Sequence, residues 1–188
     1  MSKVKIQLTN VRISYPSLFK RSVYKGKEGK YEATFLIPKT NAKIKKKIDK
    51  IIADTLAEAK VKKVSSDNNC FKDGDCAETS KGEPYDGYKG HWTLKAKNNN
   101  SPVVINRDKS TIIQGDRKIY SGCYVNAIVD IWISNADYGK RFVCANLHGV
   151  QFFEDGEPLG SGNIDIDDVI DDFDDLDDDI EDDEDDDL

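Results

Sequence analysis

The chain has 188 residues, with 28 Lys+Arg against 35 Asp+Glu, a formal net charge of −7 and four cysteines. That length suits one compact domain with a real core, and no stretch approaches the roughly 18–20 consecutive apolar residues of a membrane helix, which excludes a helical membrane protein. The charge is strongly divided: residues 163–188 hold 15 Asp and 2 Glu with no Lys or Arg, which leaves 28 basic and 18 acidic side chains in residues 1–162, a net of +10 beside a tail of −17.

Such asymmetry points to a polyanionic partner or an interaction tail. The expected organisation is one domain over residues 1–162 and a disordered acidic tail over 163–188. Too many like charges crowd the tail for it to join a core. The start "MSKVKIQLTN" enters a strand pattern without a signal peptide's apolar region, so a cytosolic protein is expected.

In "KVKIQLTN", Val4, Ile6 and Leu8 alternate with Lys3, Lys5 and Gln7, the pattern of a half-buried strand. After Asn10 the parity flips to Val11, Ile13 and Tyr15, so a bulge near Asn10 is needed to keep one face inward, and Pro16 is expected to end the strand. "KRSVYKGKEGK" is a basic glycine-containing loop, and "YEATFLIPK" a second strand with Tyr31, Ala33, Phe35 and Ile37 on one side.

The period then changes. Ile44, Ile48, Ile51, Ile52 and Leu56 form a helical stripe, which predicts one helix over about 41–63. Lys43, Lys45, Lys46, Lys47 and Lys50 crowd its first half, where the macrodipole disfavours cations; either solubility or a nearby phosphate backbone accounts for them. Residues 65–90 read as loop, with Tyr85 and Tyr88 among glycines. "HWTLKAK" sets Trp92, Leu94 and Ala96 against His91, Thr93, Lys95 and Lys97, and "SPVVINRD" is a further short strand.

"CYVNAIVDIWIS" is the longest sheet signal. Its odd positions, Cys123 through Ile133, are small or aliphatic and form the core face, which puts Tyr124, Asn126, Ile128, Asp130, Trp132 and Ser134 outside. "RFVCANLHGVQFF" follows the turn "NADYGK". Several strands, one helix and glycine-rich connections predict a mainly β fold, an all-β barrel with a helix inserted or appended.

Aromatic rings interleaved with cations over a β surface suit a single-strand groove, where charges neutralise phosphates and rings receive bases. Strand parity and loop composition assign Lys95, Lys97, Arg107 and Arg141 to phosphates, and Tyr24, Tyr88, Tyr124 and Trp132 to stacking. The competing expectation for Tyr124 and Trp132 is packing beneath a loop or the helix. In the tail, Val169, Phe173, Leu176 and Ile180 recur every three or four residues, so a partner could order it as an amphipathic helix; Phe173, Leu176, Ile180 and the terminal Leu188 are its contact candidates. A tethered polyanion would also compete with nucleic acid for the basic body.

"NVRISYPSLF", "YEATFLIPK" with the lysine-rich helix, "YSGCYVNAIVDIWIS" and "HGVQFFEDGEPLG" before an acidic tail resemble, in the same order, the tailed-phage single-stranded DNA-binding proteins once filed as a domain of unknown function. The match covers most of residues 1–162. It implies a five-stranded oligonucleotide/oligosaccharide-binding (OB) barrel with additional strands and one inserted helix, sequence-independent binding of single-stranded DNA in replication, recombination and repair in an infected or lysogenic bacterial cytoplasm, and an acidic tail contacting polymerase or helicase. Related tails often end in an aromatic residue, whereas this one ends in Leu188.

No cofactor is expected, and catalysis is set aside. His91 and His148 lack ligand-spaced partners, no phosphate-cradling loop or nucleophile elbow occurs, and Asp130 has no second carboxylate at a telling spacing for a metal-dependent nuclease. Cys70, Cys76, Cys123 and Cys144 are expected as buried or inert thiols, with a zinc site the sharper alternative. The rival binding function is an acidic chaperone or DNA mimic acting through the tail, which has no need of a +10 body with outward rings. Monomer and dimer remain open.

Overall fold

The computed structural model describes residues 3–135 and 139–160; the expected tail, with Phe173, Leu176, Ile180 and Leu188, lies outside the described residues. The elements are β1 (Lys5–Ser17), β2 (Val23–Tyr24), β3 (Lys27–Glu28), β4 (Tyr31–Pro38), α1 (Ala42–Glu58), β5 (Phe71–Asp73), β6 (His91–Asn98), β7 (Val103–Ile105), β8 (Tyr124–Ile133) and β9 (Val143–Glu154). Antiparallel pairing joins β1 to β4 and β8, β4 to β6, and β8 to β9. A parallel contact between β6 and β9 at Lys97 and Asn146 closes the ring, giving the barrel order β1-β4-β6-β9-β8.

This is the expected OB-type barrel, with β5 and β7 added beside β6 and β9. Its core is the alternating set predicted from period two: Ile6, Leu8, Phe35, Ile37, Leu94, Ala96 and the odd positions of β8 are all buried. α1 packs Ile48 and Ile52 inward, with Ile44, Ile51 and Leu56 partly covered.

The helix is shorter than its hydrophobic stripe suggested. Asn41 caps its start by accepting a hydrogen bond from the Ile44 amide, and Lys60 takes a left-handed φ of +55° at its end. There the Val61 amide bonds back to Leu56 and the Lys60 amide to Ala57, a Schellman stop that turns Val61 onto the core. Lys45 and Lys50 pair with Asp49 and Asp54 one turn on, so part of the lysine cluster is a salt-bridged solvated face. Among the described residues no helix is long and apolar enough to cross a membrane.

β1 carries the bulge expected at Asn10. Its register against β8 shifts between Leu8 and Val11, Asn10 sits at φ +51°, and the Asn10 amide donates to Asn126 Oδ1 at 2.9 Å. The strand does not stop at Pro16 but runs to Ser17 through a second irregularity against β4, between Ser14 and Ser17. Tyr15, expected with the core set, instead has φ +48° and is exposed. The basic loop contains the β2–β3 hairpin, whose Lys25-Gly26 turn has positive φ at both residues, the geometry that matches strand twist in a two-residue connection.

The segment after β9 is strapped to the barrel. The Leu159 amide donates to Ser121 O at 2.8 Å, and the Arg12 guanidinium bonds the carbonyls of Gly122 and Glu157. Gly122, at φ +113°, permits this approach, because a Cβ there would lie 2.2 Å from Glu157 O and 2.8 Å from Leu159 N. Gly122→Ala is therefore expected to destabilise the fold by about 2 kcal/mol or more, lowering the thermal midpoint by roughly 4–8 °C; an unchanged midpoint would show that the strap yields freely.

Candidate nucleic-acid interface

Because Leu94 and Ala96 point into the barrel, Lys95 and Lys97 of β6 project outward. On β4 their cross-strand partners are Thr34 and Glu32. The Glu32 carboxylate, on a side chain only 18% exposed, lies 3.4 Å from Lys97 Nζ and 3.5 Å from Lys95 Nζ. On the other flank Lys97 is level with Asn146 of β9, which pairs with Asp130 of β8. One row of polar side chains thus crosses four barrel strands.

Trp132 is locked onto this row. Its indole Nε1 donates to Asn146 Oδ1 at 3.0 Å, and Asn146 Nδ2 donates in turn to Asp130 Oδ1 at 2.8 Å. Asp130 Oδ2 lies 2.5 Å from His148 Nε2. Asp130 belongs to the outward set yet is only 2% exposed, and a buried carboxylate requires such partners on both oxygens. The hydrogen-bonded chain fixes the plane of a half-buried indole beside the lysine pair.

Two loops border this face. The connection between barrel strands one and two, residues 18–30, holds Tyr24, which is 74% exposed with Lys25 Nζ 5.4 Å from its ring centre. Arg21 anchors the hairpin's base: its guanidinium stacks over Tyr31, donates to Asn99 O at 2.9 Å and approaches Glu28 at 3.5 Å. In the connection between barrel strands four and five, Arg141 Nη1 donates to Ser134 O at 3.1 Å. OB barrels bind oligomers on the face of strands two and three between these same loops. Tyr24, Lys95, Lys97, Trp132 and Arg141 therefore belong to one face and its borders.

The other candidates do not join them. Tyr88 is 6% exposed, with its hydroxyl 3.0 Å from Ser14 Oγ and its ring stacked on Tyr85, so it offers no open face for a base. Burial raises its phenol pKa, opposed by hydrogen bonds to Ser14 and Thr34. Tyr124 lies eight residues from Trp132, about 26 Å along the strand; Arg12 stacks on it at 5.9 Å, and a Cβ on Gly156 would touch its ring at 2.9 Å. For Tyr124 the alternative expectation, packing beneath a loop, describes its surroundings. Arg107 sits 4.6 Å over Phe153, on the outer surface away from the lysine row.

Glu32, Lys30 and the Asn146–His148 support were not legible as site residues in the sequence. Strand alternation did make Glu32 outward, opposite Ala33 and Phe35, but its position beside two lysines depends on register. Lys30 and Lys97 both lie close enough to the Cys144 thiol to counter the upward pKa shift that burial gives it. Among the described residues no three His, Cys, Asp or Glu side chains gather as a metal site.

All four cysteines are free, and Cys76 is exposed rather than buried. Burial, with Cys144 adjacent, pushes the Cys70 thiol up to about 12, so it stays protonated and unreactive at neutral pH. At pH 8 a disulfide reagent should label Cys76 rapidly and Cys70 only on unfolding; equal rates would contradict this placement.

A closed five-stranded barrel, with a lysine pair on strand three and an immobilised indole beside it, has the build of an oligonucleotide-binding barrel. A protein-family model described as Enterobacter phage Enc34, ssDNA-binding protein, matches residues 4–187, and the chain belongs to this family. A relative named putative protein p50, from Acyrthosiphon pisum secondary endosymbiont phage 1, is 38% identical over 172 residues, 86% of this chain and 89% of that protein. The solved single-stranded DNA-binding protein from bacteriophage Enc34 is 32% identical with a TM-score of 0.72, covering 88% of this chain and 89% of its own; in complex with ssDNA the figures are 32%, 0.71, 83% and 89%. The bacteriophage T7 protein gp2.5 shares the fold, at 16% identity, a TM-score of 0.56 and 97% coverage of both chains. Family membership agrees with the non-catalytic expectation from sequence.

Proposed function

We propose that this protein binds single-stranded DNA without sequence preference during phage DNA replication, recombination and repair, in the cytoplasm of an infected or lysogenic bacterium and as a monomer or dimer. The observation that carries the proposal is the outward Lys95–Lys97 pair level with the Trp132–Asn146 pair, on the face where OB barrels take oligomers, in a chain whose Enc34 relative is solved with ssDNA.

Phosphates take the place of the Glu32 carboxylate on the two lysines, while Trp132 and Tyr24 receive bases and Arg141 adds charge at the border. Both lysine side chains in these pairs are half exposed, which weakens the attraction in water, so the exchange costs little. The acidic tail occupies this face at high effective concentration until DNA displaces it, and then offers Phe173, Leu176, Ile180 and Leu188 to a phage or host polymerase or helicase.

Fluorescence titration with oligo-dT at several salt concentrations tests the face. Lys97→Ala should flatten the log–log salt slope by roughly 0.7, and Trp132→Ala should weaken binding at unchanged slope by about 1–3 kcal/mol. Lys97→Ala with affinity and slope unaltered would rule this face out. Deleting residues 163–188 should tighten DNA binding, most strongly at low salt; weaker binding after truncation would contradict competition by the tail.

A further inference from the structure

Tyr15 is an anomaly. By alternation with Val11 and Ile13 it should lie in the core, yet it is 58% exposed. A left-handed φ of +48° at the second β1 irregularity turns it out, just before Pro16. That conformation is strained for an aromatic residue, and the surroundings hold it there: the Tyr15 amide donates to Ser121 Oγ, while on its flank the Gly122 amide donates to Ile13 O and the Ile13 amide to Cys123 O. A backbone strained so as to put a large ring in water calls for a use of the ring.

Its neighbours suggest one. The Tyr15 ring meets the edge of Tyr85 at 5.9 Å and 80°, and Tyr85 stacks on Tyr88 at 4.9 Å and 23°. Tyr88 is moored through its hydroxyl to Ser14, whose cross-strand neighbours are Thr34 and then Lys95. The three rings therefore climb outward from the row of Lys95. Trp132 lies on the opposite flank, reached through Lys97 and Asn146. Around the outside of the closed barrel, in which β1 and β8 also pair directly, the way from β8 to β1 past β9, β6 and β4 is four strand spacings, an arc of about 19 Å, a path suited to the smaller site sizes of about 4 nucleotides per OB fold.

We infer that Tyr15, braced by Tyr85 and Tyr88, is a second stacking platform for the bases of a bound single strand, on the far side of the lysine pair from Trp132. This rests on the groove assigned above, with which the platform is continuous. Tyr88 acts as the buried foot of the ladder, and Tyr15 as its solvent-facing rung.

The test uses the full-length protein and oligo-dT of about 12 nucleotides, within the range of known site sizes. Tyr15→Gly removes the ring and suits a positive φ, so the thermal midpoint should hold or rise; Tyr15→Asn, also tolerant of left-handed backbone, is the second variant. Both should lose affinity by about tenfold at unchanged salt slope, whereas Tyr15→Phe should bind within about twofold of the parent, well short of a stacking loss. If Tyr15→Gly binds like the parent while Lys97→Ala does not, the ladder is overturned and the groove stands. If neither variant changes binding, the groove falls and the ladder with it. A Tyr15→Phe loss as large as that of Tyr15→Gly would assign the effect to the hydroxyl and overturn the stacking role.

Discussion

The parallel pairing of Lys97 in β6 with Asn146 in β9 is the contact on which both fold and site depend. Without it the sheet would stay open, with the Lys97 end of β6 and the Asn146 stretch of β9 unpaired beyond the short β5 and β7, and an unpaired edge is a template for aggregation. Closing it brings together segments about fifty residues apart and requires the long connections around β7 and β8 to be ordered. The same closure sets Lys97 beside Asn146, and Asn146 holds both Trp132 and Asp130. Completing the barrel and assembling the cationic, aromatic face are one event.

The electrostatics of that face are restrained rather than simply positive. Glu32 lies between the ammonium groups of Lys95 and Lys97, close enough to hold both side chains out over the sheet, but those groups are half exposed and the pairing is weak. Asp130 is the contrary case. Enclosed and satisfied by Asn146 and His148, it contributes shape and orientation rather than accessible charge. Two carboxylates beside the same lysine row thus have different work, because one is open to exchange with phosphate and the other is not.

Backbone irregularity supplies what regular strands cannot. The Asn10 bulge lets one strand serve two barrel neighbours without turning its apolar set to water, as closure of a small barrel demands. At Tyr15 the irregularity does the reverse and expels a ring that alternation would bury. The Lys25-Gly26 turn makes a compact hairpin of a basic loop and carries Tyr24 into solvent. Each departure re-aims a particular side chain.

Period-two alternation in "KVKIQLTN", "HWTLKAK" and "CYVNAIVDIWIS" determined by itself which faces are core and which are outward, and the parity change after Asn10 demanded the bulge that is found. One-sided burial leaves a strand little choice of face, so Lys95, Lys97 and Trp132 were legible as outward residues before any fold existed. The sequence also determined the opposed charges of residues 1–162 and 163–188. Only the tertiary structure decided which outward residues meet: Trp132 with Asn146, level with Lys97, but not with Tyr124; Glu32 with both lysines; Tyr88 beneath Tyr85; and Arg107 over Phe153. Neighbourhood across strands follows from register, shear and barrel closure, which are set by pairings between distant segments, and loop conformation follows from what each loop packs against. Neither is written in the local alternation of a single strand.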